Sequence, residues 1–411
     1  MNYKDAENYV HSLLKFGIKP GLERINELLS LCGNPQGDLR FVHVAGTNGK
    51  GTTSTFIANI LSEAGYKTGL FTSPYVKDFL ERIQINGTPV SKRTFSSAVE
   101  KVKSAIEKMS EQPTEFEVIT AAAMLCYKKE NCDIVVLEVG LGGRFDATNI
   151  IDTPLCSVIT SISLDHTNVL GNTVSEIAAE KCGIIKENGV TVTSSNQNKD
   201  ALSVIIKTAK ERNNLLVISD FRDAVILKEG LDGTEFSYNN KKYRIALTGT
   251  HQVENALNAI EAVKLIKNVS QKNIKDGLKK TVLPARMQVI NNSPLTILDG
   301  GHNEGCALAL EKVLRSFVKK DIHLVIGMMA DKDCEKYLSI ILPLCKTVTT
   351  VTPDNPRSIS AEELGALAGK YCKNVFVSSS PKNARKQAEK NAGENGAVVI
   401  CGSFYLAGEY L

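Results

Sequence analysis

The stretch His43-Val-Ala-Gly-Thr-Asn-Gly-Lys-Gly-Thr-Thr53 puts three glycines, a lysine and several hydroxyls between an apolar β-branched run and a helical pattern. Glycines let backbone N–H groups turn toward phosphate oxygens, and the N-terminus of the following helix adds partial positive charge. Lys50 would neutralise β/γ-phosphates, and the Thr52 hydroxyl could reach Mg²⁺. The spacing Gly46-x-x-Gly49-Lys50-x-Thr52 departs from the general Gly-x4-Gly-Lys-[Ser/Thr] pattern. The strand–loop–helix context therefore carries the expectation of a nucleotide site, against the plainer reading of a Gly-rich turn that closes a strand.

A second group of reactive side chains follows other apolar runs. Glu138 ends the run 133–137 and precedes Gly140, Gly142 and Gly143, well placed to reach a bound Mg²⁺ while backbone approaches a substrate. Asp165-His166 follows the run around 157–163, and a neutral His166 ring nitrogen could ligate metal. The plainer alternative for Glu138 is a solvated loop acid, and a lone histidine such as His166 is more often structural. Lys181 and Lys186, in Ala179-Glu-Lys-Cys-Gly-Ile-Ile-Lys186, read first as helix-end charges. Ser73, in Phe71-Thr-Ser-Pro-Tyr75, is either a turn initiator or a residue beside the nucleotide.

These side chains need a scaffold of strand ends. Apolar runs at 40–45, 67–71, 133–139, 157–161 and 190–193 alternate with helical patterns at 52–64, 116–129 and 174–182, as parallel strands with helical crossovers do. A second series of strands, 295–298, 322–327, 347–352, 375–378 and 398–400, carries helices at 303–319 and 361–372. Between the series, 221–246 reads as a hairpin region with turns at Asp232-Gly233 and Asn239-Asn240, then helices at 252–267 and 271–280. Residues 281–292, with Pro284 and an Asn-Asn-Ser-Pro turn, are the expected boundary. The fold class is α/β: a P-loop-containing doubly wound domain, 1–284, and a smaller C-terminal α/β domain, 285–411. Ligands in such sheets sit beyond the C-terminal strand ends.

Length and composition agree with two domains. The chain has 411 residues, 43% of them hydrophobic, and a net charge of +4 from 49 basic and 45 acidic side chains. No basic cluster points to nucleic acid or a membrane surface, and no apolar run is long enough for a membrane span. The ten cysteines are scattered without a Cys-x-x-Cys pair, which argues against a structural zinc site or dithiol motif. Met1-Asn-Tyr-Lys-Asp-Ala-Glu is polar, so no signal peptide is expected; a cytoplasmic protein with reduced cysteines follows.

Taken in order, Gly-Thr-Asn-Gly-Lys-Gly-Thr, Thr-Ser-Pro, Glu-x-Gly-Leu-Gly-Gly-Arg-x-Asp-Ala-Thr-Asn, Asp-His and Glu-Lys-x-Gly-Ile-x-Lys closely resemble the folylpolyglutamate synthase/dihydrofolate synthase family of the Mur ligase superfamily. The likeness runs from His43 to Glu409. It implies a Mur ligase-like fold, ATP and two Mg²⁺ in an interdomain cleft, and ligation of L-glutamate to a folate or dihydropteroate. By position, Thr47, Asn48, Gly49, Lys50, Gly51 and Thr52 would form the phosphate loop. Ser73 and Glu138 would bind one metal and His166 the second, assisted by Lys181 as a carbamate. Thr114, Glu115, Phe116 and Glu117, with Phe145, Asp146 and Ala147, resemble segments that contact the pterin portion. Asn255 would lie near adenine, and Arg286, Asp299 and His302 would reach the nucleotide. Tyr75 replaces the usual histidine after Ser-Pro, Gly301 stands for the commoner Ala, and Ala285 for the Gly that commonly precedes the arginine.

The residues also allow plainer roles: Arg286 as an interface ion-pair partner, and Thr114 with Glu117 as a capping box. The resemblance implies a mechanism in which a substrate carboxylate attacks the γ-phosphate and the amine of glutamate then displaces phosphate, with Lys50, Lys181, His166 and Arg286 as the catalytic set. A Mur ligase acting on a nucleotide-linked precursor is a rival reading, but about 40 residues before the loop would be too few for its extra domain. A non-catalytic nucleotide switch is the other. The expected partners are small molecules only, and a monomer is expected.

Overall fold

The computed structural model describes residues 1–17 and 19–411. Its first sheet contains β1 (Phe41–Ala45), β2 (Thr68–Phe71), β3 (Ile83–Ile85), β4 (Thr88–Pro89), β5 (Ile134–Glu138), β6 (Cys156–Ile159), β7 (Val190–Ser194) and β8 (Leu215–Ser219). Their spatial order is β4-β3-β2-β5-β1-β6-β7-β8, with β3 and β4 antiparallel and the rest parallel. Every residue of β1 and β5 is buried, as expected of central parallel strands covered on both faces.

Alternation along β5 divides the core. Val135 and Leu137 pack against helices Tyr3–His11, Glu23–Leu31, Lys92–Ile106 and Glu115–Lys129. Ile134 and Val136 face the opposite way, against helices Lys50–Glu63, Thr250–Lys264 and Gln271–Lys280. Phe56, Ile57, Ile60 and Leu61 of the helix after the phosphate loop are fully buried. At about 1.5–3 kcal/mol for each such side chain, this packing holds the start of that helix against the end of β1.

The expected hairpin region is a three-stranded antiparallel sheet of β9 (Ala224–Gly230), β10 (Gly233–Tyr238) and β11 (Lys241–Ile245). Asn239 and Asn240 both have positive φ, 49° and 61°, which a two-residue turn between right-twisted strands demands. The second large sheet comprises β12 (Gln288–Asn292), β13 (Leu295–Leu298), β14 (Ile322–Ile326), β15 (Cys345–Val351), β16 (Val375–Ser378) and β17 (Ala397–Cys401). Its order is β12-β13-β17-β14-β15-β16, parallel except for the β12 edge.

One local expectation is corrected. The end of the segment read as a boundary, 288–292, is strand β12, because pairing with β13 supplies order that its polar sequence lacks. The connection itself is the short stretch 281–287 after helix Gln271–Lys280. The β3–β4 hairpin was also not foreseen, although Asn86-Gly87, at φ 49° and 75°, carries the signal for it.

Candidate functional site

The chemistry-bearing loops converge beyond the C-terminal ends of β1, β2, β5 and β6, facing the second domain. β1 ends at Ala45 and the helix begins at Lys50. Between them the N–H groups of Thr47 and Asn48 donate to the Ser161 carbonyl at 2.8 and 3.2 Å, pinning the loop to the segment after β6. Gly49 has φ 88°, and a Cβ there would overlap the Asn255 side-chain oxygen; only glycine satisfies both constraints. Gly51 and Thr52 lie in the first helical turn, whose N–H groups have no intrahelical acceptor. The Lys50 ammonium curls over the loop, donating to the carbonyls of Gly46 at 3.0 Å and Thr47 at 3.2 Å.

Glu138, the last residue of β5, is buried, and one of its oxygens accepts the Ser73 N–H at 3.0 Å. Burial raises its pKa to about 7, although Lys50 opposes the shift. Burial disfavours the charged form of this carboxylate, and a nearby positive charge favours it. Lys181, at the end of helix Val174–Lys181, is buried and donates to the Gly46 carbonyl at 2.9 Å. Burial, reinforced by Lys50, pushes its pKa down to about 7, so the plain reading of a solvated helix-end charge does not describe it. His166 has φ 50° and sits at the start of helix Thr167–Leu170. Burial and then Lys332 lower its pKa, favouring the neutral ring. Ser73, Glu138, His166 and Lys181 all line one cavity of about 150 Å³ with the phosphate loop.

Lys332 had no local signature in the sequence. It reaches from the second domain to donate to Asp165 at 2.8 Å, and its ammonium lies 3.2 Å from His166 Nε2. Burial alone would raise the Asp165 pKa, but Lys332, His166 and Asn303 hold it well below the usual carboxylate range. Asn303 caps the helix Glu304–Phe317, donates to Asp165 at 2.9 Å and exchanges hydrogen bonds with Asn48 at 3.0 and 3.3 Å. The two domains thus meet directly over the phosphate loop.

A second cavity, of about 170 Å³, opens on the other side of that loop and is lined by Asn255, Arg286, Asp299, His251 and Gly305 among others. Asn255 is held by a 3.0 Å hydrogen bond to Gln252. The Arg286 guanidinium lies 4.6 Å over the Phe404 ring; it stacks, and no carboxylate ion-pairs with it among the described residues. Ala285 and Met287 on either side have φ 53° and 49°, a left-handed backbone that costs non-glycine residues energy. Asp299 holds this bend by accepting the Met287 N–H at 3.0 Å and the Gly301 N–H at 2.8 Å. His302 faces the phosphate-loop cavity and, as burial and then Lys332 lower its pKa to about 4, is neutral.

The third cavity, about 600 Å³, adjoins the phosphate loop through Ser73, Gly140 and His166. Thr114, Phe116, Glu117, Phe145, Asp146 and Ala147 all line it. Thr114 and Glu117 also form the anticipated capping box, and Glu117 pairs with Arg24 at 3.2 Å, so both serve structure and cavity at once. Asp146 accepts the Leu141 and Thr148 N–H groups at 2.9 and 3.0 Å, tying the glycine loop after β5. Glu115 does not line the cavity: its carboxylate pairs with His11 at 2.9 Å, because adjacent helical positions face different directions. Tyr75 likewise points away, packing edge-on against Phe79. Phe404 and Lys332 were not singled out, and neither was Arg82, which also lines this cavity.

A doubly wound P-loop domain closed by a second parallel-sheet domain, with three adjoining cavities between them, defines a two-domain nucleotide-binding α/β protein. Residues 44–263 match the Mur ligase middle domain family, and 285–404 the Mur ligase glutamate ligase domain family. The chain is 37% identical to the dihydrofolate synthase/folylpolyglutamate synthase of Bacillus subtilis, over 98% of this chain and 97% of that protein. The structure of Escherichia coli FolC in complex with DHPP and ADP superposes with a TM-score of 0.90 at 30% identity, covering 100% of this chain and 97% of that one. Mycobacterium tuberculosis folylpolyglutamate synthase, complexed with ADP and AMPPCP, gives 0.91 at 26% identity, covering 100% and 98%. The chain belongs to the folylpolyglutamate synthase/dihydrofolate synthase family of Mur ligases. No helix among the described residues is long and apolar enough to cross a membrane.

Proposed function

We propose that this chain is an ATP-dependent ligase that joins L-glutamate to a folate, to dihydropteroate, or to both. The observation that carries the reading is the sequence of three adjoining cavities. The Asn255 cavity suits a nucleoside, the phosphate-loop cavity suits the transferring phosphoryl group, and the 600 Å³ cavity suits a pterin-bearing acid. Residues 1–284 form the ATP-binding domain in this reading and 285–411 the glutamate ligase domain, working as a cytoplasmic monomer.

The acceptor carboxylate oxygen attacks the γ-phosphorus, the bond to the β-phosphate oxygen breaks, and ADP leaves. The glutamate nitrogen then attacks the acyl carbon, the bond to phosphate oxygen breaks, and the nitrogen gives up two protons as the amide forms. Lys50 and Arg286 offset charge on the phosphoryl oxygens, and the closed cleft holds the three reactants in line. Buried Glu138 and the adjacent Ser73 fit one Mg²⁺. A second would use His166 and Lys181, with the Lys332 ammonium displaced from the ring. When bound, the ions supply charge stabilisation to the phosphates. Among the described residues no three His, Cys, Asp or Glu side chains cluster as a metal site, so nucleotide oxygens would complete the coordination.

Lys181 fits the carbamate role because its amine is substantially neutral near pH 7: the nitrogen lone pair bonds to CO₂ and one proton leaves. ATP turnover measured with glutamate and each acceptor, together and singly, tests the function. Turnover that requires both cosubstrates supports it. Turnover indifferent to them would favour a nucleotide-driven switch and sink the ligase reading.

A further inference from the structure

Arg82 ends the short helix Phe79–Arg82 just before β3, its carbonyl accepting the Thr72 N–H at 3.1 Å. The residue is only 9% exposed. Its guanidinium lies over the rings of Tyr75 and Phe79, at 5.2 and 5.7 Å, while the side chain lines the 600 Å³ cavity. Its Nε is enclosed without an acceptor, and no carboxylate lies within 4.0 Å of it among the described residues. The acids that act on it most, Glu115 and Glu138, are committed to His11 and to the Ser73 N–H. An enclosed Nε–H without an acceptor is costly, and the remaining donors of this guanidinium have no protein partner among the described residues and open to the cavity, where an entering acceptor would satisfy them.

The other cations of this cavity differ. Lys19 pairs with Glu111 at 3.0 Å, Lys332 with Asp165 at 2.8 Å, and Arg357 is solvent-exposed. Arg82 lines neither the nucleoside cavity nor the phosphate-loop cavity, so phosphate is not its natural ligand. Guanidinium geometry matches a carboxylate through two parallel N–H bonds.

Resting on the ligase reading above, we propose that Arg82 binds a substrate carboxylate that does not react, so that it positions one of the two acids in the cavity. Two sources offer that group. A folate bears a second carboxylate on its glutamyl tail, which dihydropteroate lacks, and the incoming glutamate bears two.

Steady-state kinetics of Arg82→Lys and Arg82→Gln, beside the unaltered protein, test this. Removal of a charge-assisted hydrogen bond predicts a rise in one KM of about 10–150-fold, with ADP affinity unchanged as the sign of an intact fold. A rise confined to folate, with dihydropteroate unaffected, assigns the acceptor tail. A rise in KM for glutamate with either acceptor assigns the incoming amino acid. All KM values within about three-fold of the unaltered protein, whatever happens to kcat, would overturn the proposal and leave Arg82 a stacking residue.

Should the variants fail to fold, the unaltered protein decides. The Arg82 Nε–H resonance must move on titration with folate or with glutamate, and no movement with either overturns the proposal. That titration needs no turnover, so it separates failure of this assignment from failure of the ligase reading.

Discussion

Lys332 of the second domain and Asp165 of the first meet at 2.8 Å with side-chain exposures of only 9% and 12%. This ion pair crosses the domain boundary beside the phosphate loop, and the same ammonium touches His166. It therefore ties the second domain to two residues beside the phosphate loop.

Lys332→Met leaves Asp165 without its main counter-charge, and breaking a buried pair costs about 3–5 kcal/mol. The expected outcome is a lowered unfolding midpoint in denaturant and a fall in kcat, because the domains no longer hold closed. Lys332→Arg should recover most of the stability. Equal stability of the methionine variant in equilibrium denaturation would show that the pair contributes nothing net.

Lys181→Met removes the buried amine proposed to become a carbamate beside the phosphate loop. Turnover should drop by at least about 100-fold with ADP affinity retained. In the unaltered protein, ¹³C-bicarbonate should give a carbamate resonance that strengthens as pH rises through about 7, where the depressed pKa of Lys181 lies. Its absence across pH 6–9 would leave the lysine uncarbamylated.

Phe404→Leu takes away the ring under Arg286 but keeps much of the bulk. A cation–π contact of about 0.5–2 kcal/mol predicts a rise in the KM for ATP of roughly 2–30-fold while the glutamate KM stays put. Affinity for ADP, followed by calorimetry, should weaken in parallel.

Gly49→Ala meets two obstacles, a left-handed φ and the Asn255 oxygen. The conformational cost alone is about 1–2 kcal/mol, and displacement of Asn255 should weaken ADP binding besides. Adding Asn255→Ala relieves the overlap but not the φ, so the double variant should regain stability only in part. Full recovery would locate the whole cost in the side-chain clash.

His43 lies in the middle of β1, wholly buried, with Nε2 2.8 Å from the Thr148 hydroxyl. Burial lowers its pKa to about 3, so between that value and about 6.5 the unfolded chain binds a proton that the folded chain refuses. Stability should fall with falling pH in this window, by up to about 1.4 kcal/mol per pH unit from this group. His43→Gln, melted at pH 7 and pH 5, should show a smaller loss between the two than the unaltered protein.

Much of the site was legible because each motif is local. A loop of glycines after β1, an acid at the end of β5 and an Asp-His after β6 can be read as strand-end chemistry without knowing which strands are neighbours. The hydroxyl of Thr114 and the carboxylate of Glu117 were read as a cap by spacing alone, and the structure has that cap. Resemblance rather than spacing singled out Lys181 and Arg286, since an isolated lysine or arginine carries no local sign of its surroundings.

The residues by themselves determined the alternation of strands and helices, the phosphate loop and the order of the strand-end groups, because these depend on contacts within a few positions. Only the tertiary structure decided that Glu115 turns to His11 while Phe116 enters the cavity, and that Lys332 arrives beside Asp165. It likewise showed Arg286 lying on a ring and Arg82 enclosed without an acceptor. Burial and pairing between residues tens to hundreds of positions apart follow from how the sheets pack, which no local pattern encodes.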